Sequence, residues 1–76
     1  MNLNSFIENF ADQFEETDAS AFTPDTKFKE LEEWNSLVAL SIIAMVDEEC
    51  EITLKGEDIR SATTINDLFE TIKEKM

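Results

Sequence analysis

Apolar residues recur at steps of three and four near the start of the chain. This stripe consists of Leu3, Phe6, Ile7, Phe10 and Phe14. These positions fall on one narrow face of a helix, so the pattern predicts an amphipathic helix from about Asn4 to about Glu16. Ser5 and Glu8 have the spacing of a capping box, and Asn2 or Asn4 are alternative N-caps.

A second narrow stripe lies near the other end of the chain and consists of Ile65, Leu68, Phe69, Ile72 and Met76. Thr64 precedes it as a candidate N-cap, and Asp67 occupies the third helical position, where a carboxylate complements the helix dipole. Lys73 and Lys75 lie near the C-terminal end, where positive charge is favourable. We predict that the last helix begins after Thr64.

The segment from Ser36 to about Glu49 is apolar on almost every side when it is projected as a helix. Asn35 is a good N-cap for it. One face has no charge and is expected to pack on the core: Ala39, Ile42, Ile43, Val46 and Cys50. The other face combines apolar, polar and acidic side chains: Leu37, Leu40 and Ala44, with Ser36, Ser41, Asp47 and Glu48. Such a face indicates a docking surface for a partner protein. The alternative is that the long connection packs both faces.

That long connection runs from about Thr17 to Trp34 and contains the only proline, Pro24. Connections of this length are uncommon in compact domains unless they are functional or pinned. Three apolar residues along it are expected to tie it to the helices: Phe22, Phe28 and Leu31. Trp34 either pins the connection as well or lies at the surface beside the start of the next helix.

Ile52 and Leu54 alternate with polar residues, which is also the pattern of a short strand. A single strand would have no partner, so we expect an extended loop here. Gly56, the only glycine, suits the turn that follows. A short helical turn over residues 57–61, with Ile59 pointing inward, completes the elements.

Together these elements predict an all-α fold, a small antiparallel bundle of three main helices and one short helix. A chain of 76 residues is long enough for one domain, so residues 1–76 are interpreted as a single domain. The N-terminus has no positive charge and no long apolar run, which argues against a secretory signal peptide. No stretch approaches the length of a membrane span.

The charge balance bears on the partners. Eighteen Asp and Glu face six Lys and Arg, and the formal net charge is -12 at pH 7. Such a surface repels nucleic acid and anionic membranes and attracts basic protein surfaces, although acidity also serves solubility alone. Because 42% of the residues are apolar and recur at helical spacing, a folded domain is favoured over disorder.

Missing residue types exclude several chemistries. The chain has no histidine, which excludes Ser-His-Asp and Cys-His catalysis and histidine-based metal sites. Cys50 is the only cysteine, so it can form neither an intrachain disulfide nor a thiolate metal site. We expect it to be a small core residue in a reducing, cytosolic compartment. The acidic residues show no calcium-binding loop pattern. Neither an enzyme nor a metal site is expected.

Ser36 stands in the first turn of the predicted second helix, where backbone N–H groups are unpaired and the helix macrodipole is positive. A phosphodiester attached there would be favoured electrostatically. Taken alone, however, a serine that follows an N-cap is usually only a helix-start residue.

The surrounding sequence is more specific. The segment Phe28-Lys29-Glu30-Leu31-Glu32-Glu33-Trp34-Asn35-Ser36-Leu37 resembles the attachment region of acyl carrier proteins, in which Asp-Ser-Leu opens the second helix. The resemblance continues through residues 42–49 and extends into 52–54 and 63–68. It therefore covers nearly the whole chain, in the right order and length.

The resemblance implies a cofactor. The family's serine, matched here by Ser36, accepts 4'-phosphopantetheine from coenzyme A through a phosphopantetheinyl transferase, and the thiol of the arm then holds acyl groups as thioesters. The carrier itself catalyses nothing. We accordingly expect a monomeric, cytoplasmic carrier that presents acyl intermediates to enzymes of fatty acid or related, polyketide-like biosynthesis.

The resemblance also implies two surfaces. Members of the family often hold the acyl chain between their helices, and the apolar residues that would line such a pocket here are Phe28, Ala39, Ile43, Val46 and Ile59. An ordinary filled core is the alternative. Enzymes that load or process the acyl group commonly dock basic patches on the second helix, at positions matched here by Leu37, Leu40, Ser41, Ala44, Asp47 and Glu48.

Two features depart from the family pattern. Asn35 replaces the aspartate that usually precedes the serine and that is thought to help engage the transferase and its metal ion. Three interpretations of this departure stay open: slower modification, an engineered variant, or a chain that is not modified at all. Val38 and Ser41 stand where carriers of primary fatty acid synthesis often have acids, so the docking face is expected to be more apolar at its start. Together with Trp34, this suggests a dedicated carrier of a specialised pathway. The alternative to a carrier is an unmodified acidic helical module that binds proteins through the same face. A hydrolase that uses Ser36 would have no histidine as its base.

Overall fold

The computed structural model describes residues 2–76 and is helical throughout its regular elements. The four α-helices are α1 (Leu3–Ala11), α2 (Ser36–Cys50), α3 (Gly56–Ser61) and α4 (Ile65–Lys75), and two 3₁₀ turns lie between α1 and α2 at Ala19–Ala21 and Phe28–Glu30. Residues 2–76 contain no strand. The predicted all-α bundle of three longer helices and one short helix is confirmed.

Helix α1 is shorter than its apolar stripe predicts. Of the alternative caps, the structure has Asn2, whose side-chain oxygen accepts a hydrogen bond from the Ser5 backbone N–H at 2.8 Å, and not the capping box led by Ser5. The helix ends at Ala11 rather than near Glu16, because the backbone tightens there. The N–H of Phe14 bonds back three residues, to the Ala11 carbonyl, at 3.0 Å. This tight turn keeps the Phe14 ring in the core.

The core is built around aromatic rings from separate elements. Phe6 of α1 lies 5.4 Å from Phe69 of α4 between ring centroids, and Phe10 lies 5.4 Å from Phe28. The large side chains buried most completely are Phe6, Phe10, Phe28, Ile42, Val46, Ile65, Leu68 and Ile72. Since aromatic side chains bury the largest apolar areas, these rings carry much of the packing energy.

The long connection is pinned, as predicted. Phe22 and Phe28 are buried, and Leu31 and Trp34 are partly buried against the core. The Trp34 ring lies 5.0 Å from that of Phe28 in an edge-to-face arrangement. A backbone hydrogen bond of 3.1 Å from the Ile65 N–H to the Thr26 carbonyl also ties the connection to the start of α4.

The glutamate Glu33 fastens both ends of this connection together. Its carboxylate accepts hydrogen bonds from the backbone N–H groups of Glu15, Glu16 and Thr17, at 2.6, 3.0 and 2.9 Å, and from the Thr17 hydroxyl at 2.8 Å. These bonds satisfy donors that the early end of α1 leaves unpaired. They also hold the pKa of Glu33 below its ordinary value, chiefly through the Glu15 backbone bond and then the Thr17 side-chain bond.

The link from α2 to α3 is an extended loop, as predicted, with Ile52 and Leu54 buried. The turn that ends α2 is made by Glu51, which takes the left-handed conformation with φ 56°. Gly56 is instead the first residue of α3 and has no positive φ, so the prediction of a glycine turn is wrong. Ile59 points inward, as predicted.

Helix α4 begins as predicted, with a capping box formed by Thr64 and Asp67. Four residues of its stripe are buried, but Met76 is 71% exposed, because α4 ends at Lys75. Lys75 lies 3.4 Å from the Asp58 carboxylate and so links α4 to α3. No helix within residues 2–76 is long and apolar enough to cross a membrane.

Candidate functional site

The first turn of α2 is held by its N-cap. Asn35 has an extended backbone, and its side-chain oxygen accepts a hydrogen bond from the Val38 N–H at 3.0 Å, as the sequence predicts. Ser36 is the first residue of the helix and is exposed to solvent. The Ser36 hydroxyl is therefore presented on a fixed helix end rather than on a flexible loop.

The backbone beside Ser36 leaves donors for an anion. Asn35 satisfies the Val38 N–H with its side chain and the Ala39 N–H with its carbonyl. Among the described residues, the N–H groups of Ser36 and Leu37 have no acceptor. Together with the positive end of the macrodipole, two open donors suit a phosphodiester on the serine oxygen. The residues present therefore fit the attached group.

The side of α2 that faces the core differs from the predicted one. The buried residues are Val38, Ile42, Met45 and Val46, whereas Ala39, Ile43 and Cys50 are only partly buried. The core-facing side is rotated relative to the predicted one, and Ala39 and Ile43 line a groove instead. Val38 consequently belongs to the core, and the prediction that it makes the docking face more apolar is wrong.

The opposite side of α2 is open. Leu37 is 74% exposed and Leu40 is 60% exposed. Ala44, Asp47 and Glu48 are exposed along the same helix, and Ser41 is partly buried. The structure thus brings apolar and acidic side chains together on one exposed surface, which begins next to Ser36. We call the set Leu37, Leu40, Ala44, Asp47 and Glu48 the α2 patch.

A groove of about 560 Å³ opens beside Ser36. We call it the Ser36 groove. Its apolar wall consists of Trp34, Ala39, Leu40, Ile43 and Ile59. Of the residues that the sequence proposed for an acyl pocket, Ala39, Ile43 and Ile59 lie on this wall. Phe28 and Val46 do not, because both are completely buried in the core. Trp34 serves in both predicted ways, since it packs on Phe28 and also lines the groove.

Sequence reasoning missed three residues of the groove. Lys29, Gly56 and Arg60 line it together with Ser36. They come from the long connection and from α3, which tertiary contacts bring together. The Lys29 ammonium donates to the Arg60 carbonyl at 2.7 Å. No local pattern in the sequence signals this bond, because 31 positions separate the two residues.

The described residues contain no group of three or more His, Cys, Asp or Glu side chains that could hold a metal ion. The site offers one exposed hydroxyl, two open backbone donors and a groove.

Comparison with protein families identifies the family of the chain. A family model described as a phosphopantetheine attachment site matches residues 5–72, which is most of the chain. Neither the curated proteins nor the solved structures contain a significant match. The family's domain is the site at which 4'-phosphopantetheine is covalently attached, and such carrier domains are generally not catalytic. The chain therefore belongs to the phosphopantetheine-attachment family of acyl-carrier-like proteins.

Proposed function

We propose that this protein is an acyl carrier whose Ser36 bears the phosphopantetheine arm. The single observation that carries the proposal is the position of Ser36, an exposed hydroxyl on the first turn of α2 beside two open backbone donors. On attachment, the Ser36 oxygen loses its proton and forms a bond to phosphorus, and the nucleotide part of coenzyme A leaves. The arm supplies a thiol that holds an acyl group as a thioester.

The Ser36 groove supports carriage of the acyl group. Its wall is mostly apolar, and it begins at the residue that would bear the arm. An acyl chain that lies in the groove would remove apolar surface from water, which stabilises the bound chain by roughly 25 cal/mol for each Å² that is buried. The groove residues Ala39, Ile43 and Ile59 come from α2 and α3, so such a chain would lie between these two helices.

The α2 patch supports delivery to partner enzymes. Leu37 and Leu40 are the largest exposed apolar side chains near Ser36, and Asp47 and Glu48 follow along the helix. Carrier domains of the family interact with phosphopantetheinyl transferases and biosynthetic enzymes. An enzyme with a basic patch around an apolar centre would match this surface, and the net charge of -12 would speed its approach. We place the protein in fatty acid or related biosynthesis, as a cytoplasmic monomer.

The second candidate is a protein-binding module that uses the α2 patch without an arm. Asn35 favours it, because this position lacks the family's aspartate. The experiment compares wild type, Ser36→Ala and Ser41→Ala after incubation with coenzyme A and a promiscuous transferase. Wild type and Ser41→Ala should each gain one phosphopantetheine by intact-protein mass spectrometry, and Ser36→Ala should gain none. If Ser36→Ala instead retains full biological activity, the binding-module function is favoured.

A further inference from the structure

The Ser36 groove has a charge opposite to that of the rest of the protein. The chain carries 18 acidic and six basic residues. Among the described residues that line the groove, none is acidic, while two of the six basic residues, Lys29 and Arg60, are present. A groove that only had to take an uncharged alkyl chain would gain nothing from two cations.

In the described part of the chain, neither of these two cations forms an ion pair with a carboxylate. Within residues 2–76, the ion pairs join Lys73 to Glu70 and Lys75 to Asp58, and neither includes Lys29 or Arg60. The Lys29 ammonium bonds to a carbonyl, which leaves its full charge in place. Both side chains are exposed, so each can reach a ligand in the groove without first breaking an ion pair.

Gly56 leaves space beside one of the cations. A Cβ atom at Gly56 would lie 3.4 Å from a terminal guanidinium nitrogen of Arg60, so this guanidinium lies directly over the glycine. The Lys29 ammonium is bonded to the backbone of the same residue, Arg60, at 2.7 Å. Lys29 and Arg60 therefore lie together in the lining of the groove, and Gly56 keeps this part of the lining clear of a side chain.

We infer that the Ser36 groove binds an anionic oxygen group carried on the attached arm, with Arg60 and Lys29 as its cationic wall. This inference rests on the proposed attachment at Ser36. Two sources share the chemistry: the phosphodiester of the arm, and a carboxylate at the far end of the acyl group. The guanidinium can bind either one in a bidentate manner, and the ammonium adds a point charge. The apolar wall takes the methylene groups between the thioester and the anion.

A chemical tether tests the inference without enzymatic loading. The Ser36→Cys, Cys50→Ala protein has a single thiol, which is alkylated with one of three tethers of equal length. One ends in a carboxylate, one ends in a primary amide, and one carries a phosphodiester next to the attachment point and ends in the amide. Thermal unfolding establishes that each product is folded. The readout is the NMR resonance of the Arg60 side-chain Nε–H group.

The carboxylate tether, the phosphodiester tether or both should shift the Arg60 resonance more than the amide tether does. A response to the carboxylate alone identifies the acyl end as the source, and a response to the phosphodiester alone identifies the arm. Equal responses to all three tethers would overturn the inference. Because the tether requires no transferase, failure of enzymatic loading would count against the proposed function and leave this result readable.

A titration distinguishes the effect of the groove cations on the tether carboxyl from the effect of the protein's net charge. Nearby positive charge favours the ionised form, so the acid dissociation constant of the responding ¹³C-labelled tether carboxyl should fall about twofold to fivefold in Arg60→Gln and in Lys29→Gln. Arg60→Lys keeps the positive charge, so the acid dissociation constant of the tether carboxyl should stay close to its value in the protein with Arg60. Lys27→Gln is the matched control, since it removes the same charge from the neighbouring turn outside the groove. If Lys27→Gln has an effect as large as that of Arg60→Gln, the groove has no specific role.

Discussion

The side-chain oxygen of Asn35 accepts a hydrogen bond of 3.0 Å from the backbone N–H of Val38. This bond joins the residue that departs from the family pattern to a residue that is buried in the core. Asn35 therefore fixes the start of α2, and with it the direction in which Ser36 faces. An aspartate at this position could make the same bond, since both side chains are strong N-caps.

Replacement of Asn35 should separate its role in folding from its role in modification. Asn35→Ala loses the cap and should destabilise the protein by about 1 kcal/mol, which lowers the melting temperature by about 4–8 °C in a domain of this size. Asn35→Asp keeps the acceptor and should lie within about 0.5 kcal/mol of wild type. Thermal unfolding followed by circular dichroism measures both. An Asn35→Ala protein as stable as wild type would show that the cap is unimportant.

The same Asn35→Asp protein measures what the departure from the family does to loading. If the family's aspartate engages the transferase and its metal ion, the carboxylate variant should be loaded faster than wild type. Equal initial rates would show that the amide is no handicap.

The bonds to Glu33 predict a pH dependence of stability. Its pKa is lower in the folded protein than its ordinary value of 4.5, so the carboxylate stabilises the fold fully above about that pH. This contribution is lost as the pH falls through the lowered, folded-state pKa. The difference in melting temperature between wild type and Glu33→Gln should therefore be largest near neutral pH and shrink as the pH falls through that folded-state pKa.

Glu32→Gln is the control for the Glu33 experiment. It removes the same charge from an exposed neighbour in the chain and so reports the relief of general repulsion. A difference between Glu33→Gln and Glu32→Gln that stays constant with pH would contradict the role assigned to the Glu33 hydrogen bonds.

The excess of acids predicts a strong dependence on salt. The described residues form two ion pairs, and the net charge is -12. Screening over about 10 Å at 0.1 M ionic strength should reduce the self-repulsion of the folded state. We expect the melting temperature to rise by about 5 °C, equivalent to about 1 kcal/mol, between low salt and physiological ionic strength. Magnesium chloride should raise it further than sodium chloride at equal ionic strength. No response to either salt would contradict this account.

The α2 patch predicts that one side chain serves binding rather than stability. Leu40 is 60% exposed, so Leu40→Ala should change the free energy of unfolding by less than about 0.5 kcal/mol. Because Leu40 would be an apolar anchor of the docking surface, Leu40→Ala should lower the kcat/KM of the transferase by about fivefold or more. Met76→Ala removes a similarly exposed apolar side chain far along the chain and serves as the control. Equal rates for the two variants would argue against docking at Leu40.

Local patterns in the sequence predict much of this fold. The caps at Asn35 and Thr64 follow from residue type and spacing, and so do the apolar stripes of α1 and α4. The pins of the long connection were recognisable because isolated aromatic residues in a polar segment have few other uses. The coarse architecture therefore needs only periodicity and capping.

The errors arise where tertiary contacts override local pattern. The Phe14 ring is in the core although α1 ends at Ala11, so the apolar stripe extends beyond the end of the helix. An almost wholly apolar α2 gives no strong indication of which side faces inward, and Val38 was misplaced for that reason. The left-handed residue at the end of α2 is Glu51 rather than the only glycine.

Local sequence patterns also do not predict the cationic wall of the groove. Lys29 and Arg60 belong to different elements and meet through a side-chain bond to backbone. Pairs of this kind depend on how α3 packs beside the long connection, and no local spacing encodes that packing. In contrast, Ser36 is predicted as the attachment residue because its neighbours in sequence resemble the family's attachment region.

The most direct measurement of the central claim is the location of the arm on the wild-type chain. Folded protein is incubated with coenzyme A and a promiscuous transferase, digested and sequenced by tandem mass spectrometry. The account predicts one phosphopantetheine per chain, on the oxygen of Ser36. Failure of the folded protein to gain an arm, or an arm found on Ser41 or another serine, would contradict it.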